Sequence, residues 1–188
     1  MLTAAQATPP AQFSGFSGAK DTLRTMVEVC QGPRGERSMI VRSMTEHIMR
    51  HLQPKDYGGE VVAIRNWVTE RVRYQNDPLH VELVKDPQRI CEEILQHGVG
   101  VGDCDDMCAL IGTMALQAGR VAQFVAAGFG RPHSYSHVFA RVQVPKGPWL
   151  VCDPVAGTQE RRMLERVKTY EVWSLDEPPD HGPVKVYP

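Results

Sequence analysis

The sequence predicts an α+β fold, with helices in the first part of the chain and an antiparallel sheet in the second. Between residues 36 and 118 apolar side chains recur mainly at helical spacing, whereas after Gly119 they alternate at the two-residue period of strands. Helices and strands that are segregated along the chain favour the α+β class over alternating βαβ units. A chain of 188 residues is long enough for one domain with a proper core.

The first part of the chain is predicted to begin with a loose arm over residues 1–18, where two prolines and a repeated Phe-Ser-Gly favour irregular backbone. Residues 22–29 alternate apolar and polar side chains, with Met26 as the exception, so a short strand is predicted there. Residues 98–102 are predicted to form a flexible loop that leads into the helix after Gly102. Apolar side chains at helical spacing predict three helices over residues 36–52, 59–74 and 87–97.

The second part of the chain is rich in β-branched and aromatic residues at the period of strands. Residues 176–188 contain four prolines and are predicted to be a tail, so the predicted domain covers residues 19–175. Strands are predicted over residues 121–129, 136–144, 149–153 and 170–175.

The motif Gly102-Asp103-Cys104-Asp105-Asp106 places a cysteine at the start of a further predicted helix. Asp103 is a good N-cap and Asp106 suits the third helical position. The residues that follow are mostly apolar and contain no proline, and Gly119 is expected to end the helix. Cys104 is therefore expected at or near the first helical residue, where backbone N–H groups and the helix dipole favour a thiolate and can later hold an oxyanion.

A histidine and an aspartate follow this cysteine at the ends of two predicted strands. His137 opens one strand-like run, and Asp153 closes the next. Cysteine, histidine and aspartate form the residue set of an activated sulfur nucleophile, in which the imidazole takes the thiol proton and the carboxylate orients the imidazole. The sequence thus predicts that Cys104, His137 and Asp153 act together.

The loop over residues 145–147 tests whether His137 and Asp153 can share a face of the sheet. Proline suits the second position of a tight turn, and Gly147 suits the left-handed residue after it. A three-residue loop makes Phe139 face Asp153 and places His137 diagonally beside Asp153. A four-residue loop would turn Asp153 to the other face.

Each candidate also has a purely structural interpretation. Cys104 could be a small buried hydrophobe, and Asp153 could be a turn aspartate before proline. Cys108 lies one turn after Cys104, but structural zinc sites usually have CxxC spacing and a second ligand pair. Cys108 and Cys152 are therefore expected in the core, and no metal is assigned to the site.

The acidic residues beside Cys104 oppose a thiolate by their negative charge, so a protonated His137 is expected to be the main stabiliser of the sulfur anion. Carboxylates also suit calcium, although helix capping accounts for these residues more simply. No cofactor is expected. The acidic residues are Asp103, Asp105 and Asp106.

Three further side chains and one backbone group are candidates for roles at the site. Trp67 and Tyr74 could line it or donate to an oxyanion, and Trp67 is assigned to the core because of its helical neighbours. The backbone N–H of Cys104 is the expected oxyanion donor. His133 is expected in an exposed loop.

Composition restricts the partners and the compartment. A net charge of −1 gives no reason to expect nucleic acid or an acidic membrane as a partner. No stretch approaches the roughly 20 apolar residues that span a bilayer, and residues 1–10 lack the pattern of a secretion signal. Five cysteines without a CxxC pair favour a reducing compartment, and hence a cytoplasmic location at synthesis.

Taken together, these segments resemble the transglutaminase-like cysteine enzyme superfamily over roughly residues 20–155. The matching residues are the motif around Cys104, Ser136-His137-Val138-Phe139 and residues 149–154. Upstream, residues 67–82 resemble the lead-in of a bacterial and prophage branch. The resemblance implies a papain-like core, with the nucleophile helix packed on an antiparallel sheet, and thiol chemistry on amide bonds.

The residues and the resemblance lead to hypotheses of three classes. The first is a cysteine peptidase or amidase that acts on a peptide or protein substrate through Cys104, His137, Asp153 and a thioester, with transglutaminase-type acyl transfer to an amine as its variant. The second is a non-catalytic assembly module that is associated with a virion and has phage structural proteins as partners. The third is a metal-binding domain.

Overall fold

The computed structural model describes residues 16–77, 83–130, 135–156, 160–177 and 185–187. Within these ranges, no helix is long and apolar enough to cross a membrane. The helices are α1 (Phe16–Gln31), α2 (Met39–Met49), α3 (Tyr57–Arg71), α4 (Pro87–His97), α5 (Cys104–Gln117) and α6 (Glu160–Arg166). The strands are β1 (Val72–Tyr74), β2 (Gly100–Gly102), β3 (Ala122–Gly128), β4 (His137–Gln143), β5 (Trp149–Cys152), β6 (Thr169–Ser174) and β7 (Lys185–Tyr187).

The main sheet has five antiparallel strands in the order β5-β4-β3-β6-β7. A separate parallel pair, β1 and β2, lies just before α5 in the chain. The predicted α+β class is confirmed, because helices dominate the first part of the chain and the antiparallel sheet follows.

Helix α5 is the centre of the core. It contacts α1 and α3 as well as β4, so apolar neighbours surround it. This arrangement explains why its sequence is apolar on nearly every side, since a helix that is hydrophobic all round is stable only when it is buried. Gly119, with a φ of 73°, follows the helix end as predicted. The buried members of α5 include Met107, Cys108, Ala109, Leu110, Ile111 and Met114.

The strand predicted over residues 22–29 is wrong, because this segment is part of α1. Its buried side chains are spaced at i, i+3, i+4 and i+7, which is the period of a helix face. Met26, the exception to the alternating pattern, belongs to that face. The four residues are Leu23, Met26, Val27 and Cys30, all no more than 1% exposed.

Two other expectations in the first part of the chain need correction. The helix predicted over residues 59–74 ends at Arg71, and the chain continues as β1. The flexible approach predicted over residues 98–102 contains β2, which pairs in parallel with β1 and places Tyr74 opposite Gly102. Parallel pairing connects residues that are far apart in sequence, so no local sequence pattern predicts it.

The second part of the chain contains the four predicted strands and two elements that were not predicted. Helix α6 lies between β5 and β6, and β7 pairs with β6. The tail predicted over residues 176–188 therefore contributes a strand. The arm predicted over residues 1–18 overlaps the start of α1 at Phe16, and residues 1–15 lie outside the described ranges.

The hairpin of β4 and β5 has the predicted register. Ala140 pairs with Cys152 and Gln143 with Trp149, which leaves residues 145–147 as the three-residue loop. The left-handed residue is Lys146, with a φ of 58°, and not the predicted Gly147. Proline at the second position, a positive φ at the third and a hydrogen bond from Gly147 N to Val144 O (2.8 Å) fit a type II turn.

Gly112→Ala is expected to lower the free energy of unfolding by about 1–3 kcal/mol, because a side chain here enters a filled core. A Cβ at Gly112 would lie 2.8 Å from Leu175 Cδ2 and 3.1 Å from the Phe124 ring. Gly58→Ala is the matched control: it is also helical, nothing lies within 4 Å of its Cβ, and it is expected to be neutral or slightly stabilising. Urea unfolding measures both, and equal effects would contradict the prediction.

Candidate active site

Cys104 is the first residue of α5, as predicted, and its side chain is partly exposed. The strand β2 delivers the chain to this point, and Gly102 passes so close to the helix that a Cβ there would lie 2.7 Å from Asp106 Cβ. Asp103 occupies the N-cap position, but its side chain makes no capping hydrogen bond. The helix therefore begins as predicted, while the capping role expected for the Asp103 side chain is wrong.

The direction in which α5 runs along β4 determines which part of the sheet lies nearest to Cys104. Cys108 Sγ lies 3.5 Å from the carbonyl oxygen of Val138, and Gly112 lies against Phe124, which pairs with Ala140. Four helical residues rise about 6 Å, which is close to the roughly 6.6 Å of two strand residues. One turn before Cys108, the start of α5 therefore lies toward the end of β4 that carries His137.

His137 and Asp153 are in direct contact. His137 Nε2 lies 2.6 Å from Asp153 Oδ2, and the side chain of Asp153 is fully buried. The contact follows from the hairpin register, which places Asp153 opposite Phe139 and diagonally beside His137. The imidazole also stacks on Phe129, with ring centres 6.5 Å apart.

Asp153 is held at both carboxylate oxygens. While Oδ2 faces His137, Oδ1 accepts hydrogen bonds from the backbone N–H groups of Val155 and Ala156, each at 2.9 Å. Burial alone would raise the pKa of Asp153, but the hydrogen bond and charge of His137, helped by the two N–H groups, lower it. Asp153 therefore both stabilises the turn after β5 and contacts His137. The turn holds in place the carboxylate that the imidazole contacts.

This geometry assigns different tasks to the two imidazole nitrogens. An ionised carboxylate can only accept, so Nε2 of His137 carries the proton in the contact with Asp153. Nδ1 is then the nitrogen that can take up a second proton. The stacking of the ring on Phe129 and its contact with Asp153 together restrict its rotation.

The acidic residues around Cys104 are buried and not solvated. Asp103, Asp105 and Asp106 are at most 8% exposed. Burial, with a contribution from the charge of Asp103, raises the pKa of Asp106 to about 7, although the backbone N–H of Lys85 donates to its Oδ1 at 2.6 Å. The pKa of Tyr74 is raised to about 12, mainly by burial and next by the negative charge of Cys104. Burial and neighbouring negative groups therefore both disfavour additional negative charge near the sulfur.

Carboxylate oxygens of the same three aspartates lie within 4.8 Å of one another. Hard oxygen ligands at this spacing suit a cation such as calcium. Capping does not account for Asp103, whose Oδ1 is buried without a hydrogen-bond partner among the described residues. Within the described ranges, these three residues form a group that could hold a metal ion.

The other four cysteines lie in the core, as predicted for Cys108 and Cys152. Burial raises the pKa of the thiols of Cys30, Cys91 and Cys152 to about 12. Burial, and next the charges of Cys104 and Asp153, raise the pKa of the Cys108 thiol well above its usual value. Only Cys104 among the five thiols of this chain is accessible for chemistry.

The remaining candidates have different outcomes. Trp67 packs against the core, as predicted, and Tyr74 is 45% exposed beside the motif of Cys104. His133 lies outside the described residues. The sequence analysis missed Val155 and Ala156, although an aspartate followed by proline at a strand end is a recognised signal of a turn closed by backbone N–H groups.

Comparison with known proteins identifies the family. A model of the transglutaminase-like superfamily matches residues 42–154, and this chain belongs to that superfamily. This confirms the resemblance and, with the structure, the expected packing of α5, the helix that begins at Cys104, on an antiparallel sheet. A search of curated proteins returns no match.

Three solved structures are similar to this chain, and one of them, with a TM-score above 0.5, shares the fold. A putative protease from Parabacteroides distasonis is similar with a TM-score of 0.56 and 12% identity, over 93% of this chain and 35% of that one. This chain therefore spans about a third of the length of that protein. LapG from Legionella pneumophila is similar with a TM-score of 0.46 and 16% identity, over 95% of this chain and 86% of LapG. An EGTA-treated LapG has a TM-score of 0.47 and 15% identity, over 87% of each chain.

Proposed function

We propose that this protein is a thiol-dependent enzyme that cleaves amide bonds in a peptide or protein substrate. Cys104 is the nucleophile, His137 is the general base and acid, and Asp153 orients the imidazole. The observation that carries the proposal is the contact between His137 and the fully buried carboxylate of Asp153, at the end of β4 toward which the start of α5 lies. Membership of the transglutaminase-like superfamily supports an enzyme of the cysteine-peptidase type.

The reaction begins with transfer of the thiol proton of Cys104 to Nδ1 of His137. The thiolate attacks the carbonyl carbon of the scissile amide, and the backbone N–H of Cys104 at the start of α5 faces the resulting oxyanion. The imidazolium of His137 donates its proton to the amide nitrogen as the C–N bond breaks, which leaves a thioester on Cys104. Water then attacks the thioester carbonyl and gives a proton to His137, the C–S bond breaks to release a carboxylic acid, and the proton on His137 returns to the sulfur of Cys104.

The charges around the sulfur make the imidazolium necessary. Asp103 and Asp105 are buried beside Cys104 and disfavour a thiolate, and the helix dipole offsets only part of this effect. Asp106 has a pKa of about 7, so it carries only part of a negative charge near neutral pH. A thiolate here therefore depends on an ion pair with protonated His137, which Asp153 in turn stabilises.

Acyl transfer to an amine uses the same thioester. If a primary amine replaces water in the second step, the product is a new amide, and the enzyme is a transglutaminase. Product analysis by mass spectrometry, with and without an added primary amine, distinguishes the two reactions. The residues of the first step are the same in both.

Alkylation by iodoacetamide tests the nucleophile. Near neutral pH, Cys104 is expected to react at least about tenfold faster than Cys108 or Cys152, because those thiols are buried and have raised pKa values. Peptide mapping after timed labelling measures each rate in the same sample. Cys104→Ser is the control that removes the fast phase. Equal rates at all cysteines would contradict the proposal and favour the non-catalytic assembly module.

A further inference from the structure

A pocket of about 400 Å³ opens beside the imidazole of His137. It lies between the end of β3, the turn that follows β5, and α6. Its size is within the range of pockets that bind small ligands or side chains. Its walls are apolar except for His137 and one guanidinium group. The lining residues are Phe129, His137, Val155, Ala156, Met163 and Arg166.

Arg166 supplies the charge of this pocket. Its guanidinium carbon lies 5.9 Å from the centre of the Phe129 ring, which holds the cation over an aromatic face. Among the residues that the structure describes, Arg166 makes no ion pair, whereas Arg161 on the same helix pairs with Glu165 at 3.3 Å. An apolar pocket with an exposed guanidinium group at its edge suits a side chain whose inner part is apolar and whose end is a carboxylate.

The position of the pocket indicates which half of a substrate would occupy it. In the proposed reaction His137 gives its proton to the departing amine, so the amine half of the substrate lies on the imidazole side of the scissile bond. A pocket that His137 itself lines is therefore on the side of the residue that supplies this amine. The acyl half lies toward Cys104 and the start of α5.

We propose that this pocket selects substrates whose residue after the cleaved bond carries a carboxylate, in the first place a glutamate side chain. This inference rests on the proposed function for the assignment of the amine half. A main-chain carboxylate would supply the same chemistry if that residue ended the substrate. The apolar walls contact the methylene groups of the side chain, and Arg166 binds the carboxylate.

Binding of the released amine half tests the pocket without any turnover. The probe is the dipeptide amide Glu-Ala-NH2, compared with Gln-Ala-NH2 and with Ala-Ala bearing a free carboxylate, in NMR titrations of labelled protein. Glu-Ala-NH2 is expected to bind roughly three- to tenfold more tightly than Gln-Ala-NH2, and to shift the resonances of Ala156 and Met163. If Ala-Ala with a free carboxylate binds more tightly than Glu-Ala-NH2, the carboxylate selection holds and its source is the main chain.

Two variants assign the effect to one cation. Arg166→Gln is expected to remove the preference for glutamate, and Arg161→Gln, which changes the same charge on the same helix outside the pocket, is expected to retain it. Both side chains are exposed, so neither change threatens folding. Equal affinities of the wild-type protein for all three dipeptides, or equal losses in both variants, would overturn the inference. A glutamate preference in a protein whose Cys104 is not reactive would instead overturn the proposed function and the assignment of the amine half, and would leave a pocket that binds carboxylates.

Discussion

Cys104→Ala is expected to abolish amide-bond cleavage, lowering kcat/KM by at least about 10³-fold on any peptide substrate that the wild-type protein cleaves. The reason is that in the proposed reaction the sulfur forms the bond to the acyl group, and no other thiol in this chain is accessible to replace it. The measurement is digestion of a peptide library, with the products quantified by mass spectrometry. A substrate found in this way with the wild-type protein then gives the kinetic constants of each variant.

Cys91→Ala is the matched control for this loss. Cys91 is a buried thiol on α4, and the change removes the same sulfur atom from the core. A small loss of stability with nearly full activity is expected, because a cavity of one atom affects packing and leaves the site in place. Full activity of Cys104→Ala, or an equal loss in Cys91→Ala, would contradict the assignment of the nucleophile.

Asp153→Asn is expected to lower kcat/KM by about 10²- to 10⁴-fold while the protein stays folded. Oδ1 of Asp153 accepts hydrogen bonds from the backbone N–H groups of Val155 and Ala156. An asparagine at this position must therefore place its side-chain oxygen toward these two N–H groups. Its NH2 group then faces Nε2 of His137 and donates to it. The imidazole proton is thereby moved to Nδ1, the atom that must receive the proton of Cys104.

Two measurements check this explanation. Nitrogen-15 NMR of labelled histidine reports the tautomer of His137, which is expected to change from the Nε2–H form to the Nδ1–H form. Asp56→Asn is the control: Asp56 caps α3 by accepting from Gly59 N, and asparagine caps helices equally well. An unchanged tautomer, or nearly full activity of Asp153→Asn, would show that the carboxylate does not set the imidazole for catalysis.

The contact of His137 with Asp153 could be predicted because it is local. The two residues are 16 positions apart in one hairpin, and the number of loop residues determines which side chains share a face. The loop residue with positive φ was misassigned to Gly147 instead of Lys146, but the loop length, and hence the register, was right. The start of α5 at Cys104 was also predictable, since the apolar run begins immediately after the acidic motif.

The misassigned segment shows the limit of local patterns. Residues 22–29 fit a two-residue period almost as well as a helical one, and burial of Met26 decides between them. That burial depends on α5, which lies far away in sequence and contacts α1. In the same way, Asp103 and Asp106 are good capping residues by type, yet the chain around Lys85 and the approach of Gly102 determine what surrounds them.

By itself, the sequence determined the class of the fold, the helix start at Cys104 and the pairing of His137 with Asp153. Each of these depends on residues close together in the chain, where periodicity and turn geometry act. The tertiary structure alone decided that the start of α5 lies toward the His137 end of β4, that the aspartates around Cys104 are buried, and that Arg166 lies at a pocket beside the imidazole. These features join separate elements, and their geometry follows from how α5 and α6 pack on the two faces of the sheet.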